Sequence, residues 1–297
     1  MALVHAERAA RLWSCRLVVA MMLSCGGLAS CSARGTEEPA LLVYAGAASK
    51  PVVEEVAAIY RRRTGIEVDV VFGGSGQVLA QMRLAREGDI YFPGSSDYME
   101  LAKRGGDVLP SSERIAAYLV PALAVQRGNP HGIRGLRDLL RPGLRIAIAN
   151  PETVCVGAYA VEIVERNLDA RERAAFRHNL VNYTESCEKT ATAIALDMAD
   201  AVLGWHVFEH WDPQRIETIP LARHEVPRIG YLPIAIAVFT KNPAAAAAFI
   251  DVLTGHEGQA VFAKYRYFAT AAEAAAWIGE AKPVGGEYTV PDAWLSR

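Results

Sequence analysis

The chain has 297 residues, with 31 Lys and Arg against 33 Asp and Glu, a formal net charge of −2 and 52% hydrophobic residues. No basic surplus points to nucleic acid, and the length suffices for one large core or two medium ones. At the N-terminus Arg8, Arg11 and Arg16 precede an apolar run at 17–23 that continues, broken by Gly26 and Gly27, to Ala29. This run is shorter than the roughly 20 apolar residues of a bilayer-spanning helix and has the layout of a secretory signal. No second hydrophobic span follows Ala40.

The run ends in Leu28-Ala29-Ser30-Cys31, which looks like the bacterial lipobox. That resemblance implies lipidation of Cys31 and cleavage just before it, with Cys25 a poorer second choice. Residues 1–30 are read as a lipoprotein signal peptide and 31–40 as a tether without apolar periodicity. Removing 1–30 takes away Glu7 and three arginines, which moves the net charge from −2 to −4.

From Leu41 onward, strand-like apolar runs alternate with helix-like stretches, the pattern of α/β architecture. Strands are predicted at 41–44, 66–72, 89–92, 120–125, 144–149, 199–205 and 232–239, and helices at 51–63, 77–86, 97–104 and 244–253. The segments 120–125 and 232–239 resemble each other, and each is followed by an Asn-Pro turn, Asn129-Pro130 and Asn242-Pro243. This predicts a first lobe built from both ends of the chain, 41–119 and 239–297, and a second lobe at 120–238 inserted between two crossing strands.

Three successive strand-to-helix junctions in the first lobe, 46–49, 73–76 and 94–96, consist almost entirely of Gly, Ala and Ser. Small residues let backbone N–H groups approach a ligand, and the following helix presents its positive end there. Singly each reads as an ordinary tight turn; together, at the carboxyl edge of a sheet, they suit a bound anion.

Taken in order, Tyr44-Ala45-Gly46-Ala47-Ala48-Ser49, Phe72-Gly73-Gly74-Ser75-Gly76, Asn150-Pro151 through Val156-Gly157-Ala158-Tyr159-Ala160, and Ala199-Asp200-Ala201 leading to Trp205 resemble the periplasmic molybdate- and tungstate-binding proteins of ABC importers. The resemblance covers nearly all of 41–270. It implies a two-lobed type II periplasmic-binding-protein fold, each lobe a mixed sheet flanked by helices, with the ligand in the interlobe cleft. It also implies a non-catalytic monomer, lipid-anchored in the periplasm or at the cell surface, that captures a small tetrahedral oxyanion and delivers it to an inner-membrane permease. A binding protein feeding a sensor fits the same residues. By position, hydroxyl donors fall at Ser49, which shares its place with Ala48 because the first loop is one residue longer, and at Ser75, beside Gly76. Backbone amides fall at Val156 and Cys187, and the family's pocket tyrosine aligns with Trp205.

The same alignment sets Cys155 and Cys187 on neighbouring cleft loops. In an oxidising compartment a disulfide between them is the leading expectation. A reduced pair holding a thiophilic oxyanion or metal, and two unlinked thiols, stay open. Tyr159, Tyr183, Trp205 and Tyr231 either frame the cleft or pack in the core. His206-Val207-Phe208-Glu209-His210 matches the H-x-x-E-H pattern of zinc peptidases, a short match that keeps a secreted zinc hydrolase as the reading from another class.

Overall fold

The computed structural model describes residues 40–295; the signal segment, Cys31 and most of the tether lie outside them. The chain runs β1 (Leu41–Gly46), α1 (Lys50–Thr64), β2 (Val68–Gly73), α2 (Ser75–Ala85), β3 (Ile90–Phe92), α3 (Ser96–Gly105), β4 (Arg114–Leu119), β5 (Pro121–Gln126), β6 (Ile146–Ala149) and α4 (Cys155–Asn167). It continues through α5 (Ala170–His178), β7 (Leu180–Thr184), α6 (Cys187–Ala195), β8 (Ala201–Trp205), α7 (Phe208–Trp211), β9 (Ile216–Ile219), β10 (Gly230–Ile236), α8 (Pro243–Thr254), α9 (His256–Lys264) and α10 (Ala271–Ile278).

The strands form two five-stranded sheets, β2-β1-β3-β10-β4 and β7-β6-β8-β5-β9. Their wiring is equivalent. Three parallel strands are followed by an antiparallel strand, β10 in the first sheet and β5 in the second, which pairs with the edge strand on its far side. The two segments that resemble each other in sequence therefore hold equivalent places. This is the mixed-sheet, helix-flanked architecture expected of a type II periplasmic binding protein.

The central strands of the second sheet, β5, β6 and β8, are buried on both faces, and their alternation sorts the residues by size. Ile146 and Ile148 of β6 pack with Leu123, Leu203 and Phe176. Their neighbours Ala147 and Ala149 face the other way, toward a core shared with Ala191 and Ile194 of α6. Successive strand residues point to opposite faces, so an all-apolar run is what two covered faces require.

The membership of two segments differs from the sequence expectation. Residues 230–236, placed within 120–238, pair with β3 and β4, so the return crossing falls after β9 and before Gly230. An apolar strand flanked by turns reads alike whichever sheet it joins. The C-terminal segment, placed wholly with 41–119, packs in part on the second sheet's core. Trp294 is 2% exposed, lies 6.1 Å from Phe176 and donates through Nε1 to Glu165 at 2.7 Å.

His206 pins the first crossing, between β4 and β5. Its Nδ1 accepts from Val120 N at 3.2 Å, its Nε2 meets Arg266 O at 3.0 Å, and its ring stacks on Phe268 at 4.5 Å. A carbonyl on Nε2 and an amide on Nδ1 fix the neutral tautomer with the proton on Nε2. Burial holds the imidazole down at about 4.

Two predictions follow from this packing. Trp294→Ala should lower unfolding stability by about 3–5 kcal/mol, the usual result of truncating a buried Trp, read from urea midpoints. Between pH 6.5 and 4 the unfolded chain takes up a proton at His206 that the folded chain refuses. Folded stability at this site is therefore intact above pH 6.5 and falls as pH drops through that window, by up to about 3 kcal/mol. The stability gap between wild type and His206→Gln should narrow from pH 7 to pH 4.5; a constant gap would show that His206 carries no such linkage.

Candidate functional site

The junctions β1 to α1, β2 to α2 and β3 to α3 meet the starts of α4 and α6 at a buried centre between the sheets. Ser49, Ser75, Ser95, Cys155, Val156, Cys187 and Trp205 are each at most 1% exposed there. Glycine serves this centre by taking no space. Gly74 has φ −63° and ψ 142°, which any residue adopts, yet a Cβ on it would lie 2.7 Å from Thr153 O and 3.0 Å from Glu185 O. A Cβ on Gly46 would lie 2.7 Å from Gly94 N and 2.8 Å from Ser75 Oγ. One on Gly94 would lie 2.5 Å from Cys155 Sγ, 2.9 Å from Ala48 Cβ and 3.5 Å from Ser75 Oγ. Ala48, Ser75 and Cys155, from three separate elements, thus converge beside Gly94.

The polar groups divide by sign. Carbonyl oxygens near the centre are held by tyrosine hydroxyls: Tyr267 donates to Ala48 O at 2.6 Å and Tyr91 to Ser75 O at 2.9 Å. Donors are left freer. Ser75 Oγ accepts from Gly94 N at 3.0 Å and keeps its own proton to give. Ser49 Oγ lies 3.2 Å from Gly46 O, to which it donates. The N-caps of α1, α2, α3 and α4 make no side-chain capping bond, whereas α6, the fifth helix that starts here, is capped by Ser186, as α5, α8 and α10 are by Asp169, Asn242 and Thr270. Each helix start carries roughly half a positive charge on its unpaired N–H groups. Gly76 differs from its companions, because its amide is engaged with Thr153 O at 2.9 Å, a bond that closes the first sheet's layer onto the second's.

Cys155 and Cys187 begin α4 and α6 as free thiols with Sγ atoms 3.7 Å apart, and not as the expected disulfide. That separation is nearly twice an S–S bond. Burial pushes the Cys187 thiol well up, and the adjoining Cys155 adds to this; the indole N–H of Trp205 and the Val156 amide pull the other way. The Trp205 N–H favours the sulfur's anion yet completes no hydrogen bond of full geometry to any atom. The Trp205 ring meets Tyr159 edge-on at 4.9 Å, and the Tyr159 hydroxyl has no hydrogen-bond partner.

Of the other aromatic candidates, Tyr183 is 39% exposed on edge strand β7, and Tyr231 packs against Tyr118. Sequence reasoning missed Ser95, whose hydroxyl is buried without a partner at the start of α3, and Tyr98, whose ring lies 2.8 Å from where a Gly76 Cβ would be. The small-residue junction at 94–96 was the available signal for Ser95; nothing local distinguishes Tyr98.

Charged groups span the layers outside this centre. Lys50 of α1 pairs with Glu188 of α6 at 2.6 Å, beside a cleft of about 170 Å³ between Ala47, Phe72 and Gly73 on one wall and Glu185, Ser186 and Lys189 on the other. Arg228, 6% exposed, binds Glu162 of α4 at 2.7 Å and both Asp97 oxygens of α3 at 3.1 Å, with Tyr159 lying 3.9 Å beneath its guanidinium. The H-x-x-E-H pattern does not make a metal site. Both ring nitrogens of His206 are engaged, Glu209 pairs with Arg127, and α7 spans only Phe208–Trp211.

The sequence pattern of the bacterial extracellular solute-binding protein family matches residues 41–267. A Haemophilus influenzae protein named only as a binding protein is 32% identical over 125 residues, 42% of this chain and 50% of that one. The molybdate-binding protein ModA of Escherichia coli K12 is 24% identical over 241 residues, 78% of this chain and 90% of that one. The chain spans about half the length of several other curated relatives that it matches. Among solved structures, the sulfate-binding protein SubI of Mycobacterium tuberculosis H37Rv superposes with a TM-score of 0.68 at 17% identity, covering 88% of this chain and all of that one. With its paired mixed sheets and a family match over three quarters of its length, the chain is a member of the bacterial extracellular solute-binding protein family.

Proposed function

We propose that this protein captures a small tetrahedral oxyanion of the molybdate or tungstate kind between its two sheets, and hands it to the membrane permease of an ABC importer. The observation that carries this reading is the meeting of four uncapped helix starts at a buried centre lined by serine hydroxyls and free of charged side chains. Such a centre attracts a dianion through partial charges and neutral donors, and needs no cation to be stripped of water. The layers close through backbone contacts, as Gly76 to Thr153 illustrates, so closure and ligand contact involve the same loops. Two relatives or structural neighbours are named for molybdate and sulfate, which are both tetrahedral dianions. Cys31 supplies the lipid anchor in this reading, and binding is the whole of the chemistry.

Molybdate or tungstate at a hundred times Kd should stabilise the fold by about 2.7 kcal/mol, seen as a rise in Tm. Ser75→Ala should weaken binding about ten- to a hundredfold while leaving the apo protein folded. Gly94→Ala should weaken it as well, because the added methyl must displace Cys155 Sγ or Ala48. If none of molybdate, tungstate or sulfate moves Tm at millimolar concentration, the oxyanion reading is wrong. A shift that Ser75→Ala leaves intact would keep the ligand and move the site.

A further inference from the structure

The two thiols lie at the meeting point of the loops and are the most nucleophilic groups there. Cys155 is the first residue of α4 and Cys187 the first of α6, and both are buried. Their sulfurs, 3.7 Å apart, have the spacing that two bonds of about 2.3 Å from one atom span at a near-tetrahedral angle. A metal ion would want further protein donors, and among the described residues no group of three or more His, Cys, Asp and Glu is arranged to hold one. A centre that takes two sulfurs and brings its own remaining ligand meets no such demand.

We infer that the reduced Cys155–Cys187 pair is a binding site for a trivalent arsenic or antimony hydroxide. The inference rests on the proposed opening and closing of the cleft, since the thiols are buried in the closed form. The exchange is balanced without an oxidant. Two S–H bonds and two As–O bonds break, two S–As bonds form, and the two thiol protons leave with two hydroxyls as water. Arsenic stays trivalent and keeps one hydroxyl. Reactants and product are uncharged, which suits a buried centre where ionising a thiol is disfavoured. The Trp205 indole N–H, which lies at the Cys187 sulfur and is buried without a completed hydrogen bond, is a donor available to the retained oxygen.

The test uses the full chain, reduced with a phosphine that is then removed under anaerobic conditions, and sodium arsenite as the probe. Native mass spectrometry should find one arsenic per chain, and arsenite should protect both Cys155 and Cys187 from alkylation, as mapped on peptides. Losing one of two linked bonds should weaken retention about a hundredfold or more in Cys155→Ser and in Cys187→Ser. Protection of the wild-type thiols tests the claim even where a variant folds poorly. Equal alkylation with and without millimolar arsenite, or equal arsenic retention by the double serine variant, overturns the inference. If molybdate still raises Tm when arsenite gives no protection, the oxyanion reading stands and this one falls; silence from both ligands removes both.

Discussion

Backbone must come within van der Waals reach of backbone at the centre of this molecule, and the rest of the arrangement depends on that approach. A single methyl at Gly46, Gly74 or Gly94 would press into a neighbouring main chain, hydroxyl or thiol. Because nothing projects from these positions, helix starts from both sheets reach one point, where their N–H groups supply positive potential, while Lys50, which begins α1, gives its ammonium to Glu188. The tyrosines act in the same direction by holding the carbonyls of Ala48 and Ser75.

Full charges sit around that centre. Arg228 is buried, but it is matched by Asp97 and Glu162 and lies across Tyr159. A buried pair is costly to break because the surviving charge is left without a partner, so this triad fixes α3 against α4. Lys50 and Glu188 do the same for α1 and α6 closer to solvent, where an ion pair is worth less.

The sequence disclosed what depends on local pattern. The junction loops, the helices behind them and the kinship of 120–125 with 232–239 were all visible, because small-residue turns and apolar periodicity are short-range signals. Residues 230–236 were assigned to the wrong sheet, since strand pairing is decided by partners more than a hundred residues away. The Asp97, Glu162 and Arg228 triad draws on three distant segments and had no local signature. His206 showed the reverse problem, a motif legible in sequence whose nitrogens are consumed by Val120 and Arg266. The cysteines were correctly brought together, but their state was not legible: each thiol is set by the first turn of its helix, and those turns hold the sulfurs at hydrogen-bonding distance without a disulfide.

The C-terminal segment gives the molecule a direction. Beyond α10, Pro283 and Gly285 bond to Ile229, Tyr288 N donates to Asp97, Glu287 pairs with Arg104 of α3, and Trp294 is anchored on Glu165 and Phe176. One stretch of chain is thereby sewn to helices of both layers, in addition to the two covalent crossings. Separation of the layers is restrained by this stitching and the Arg228 triad, by the Gly76–Thr153 bond, and by the Lys50–Glu188 pair at the cleft between Phe72 and Glu185. The layers are thus held by a stitched flank and by a cleft that a single ion pair bridges.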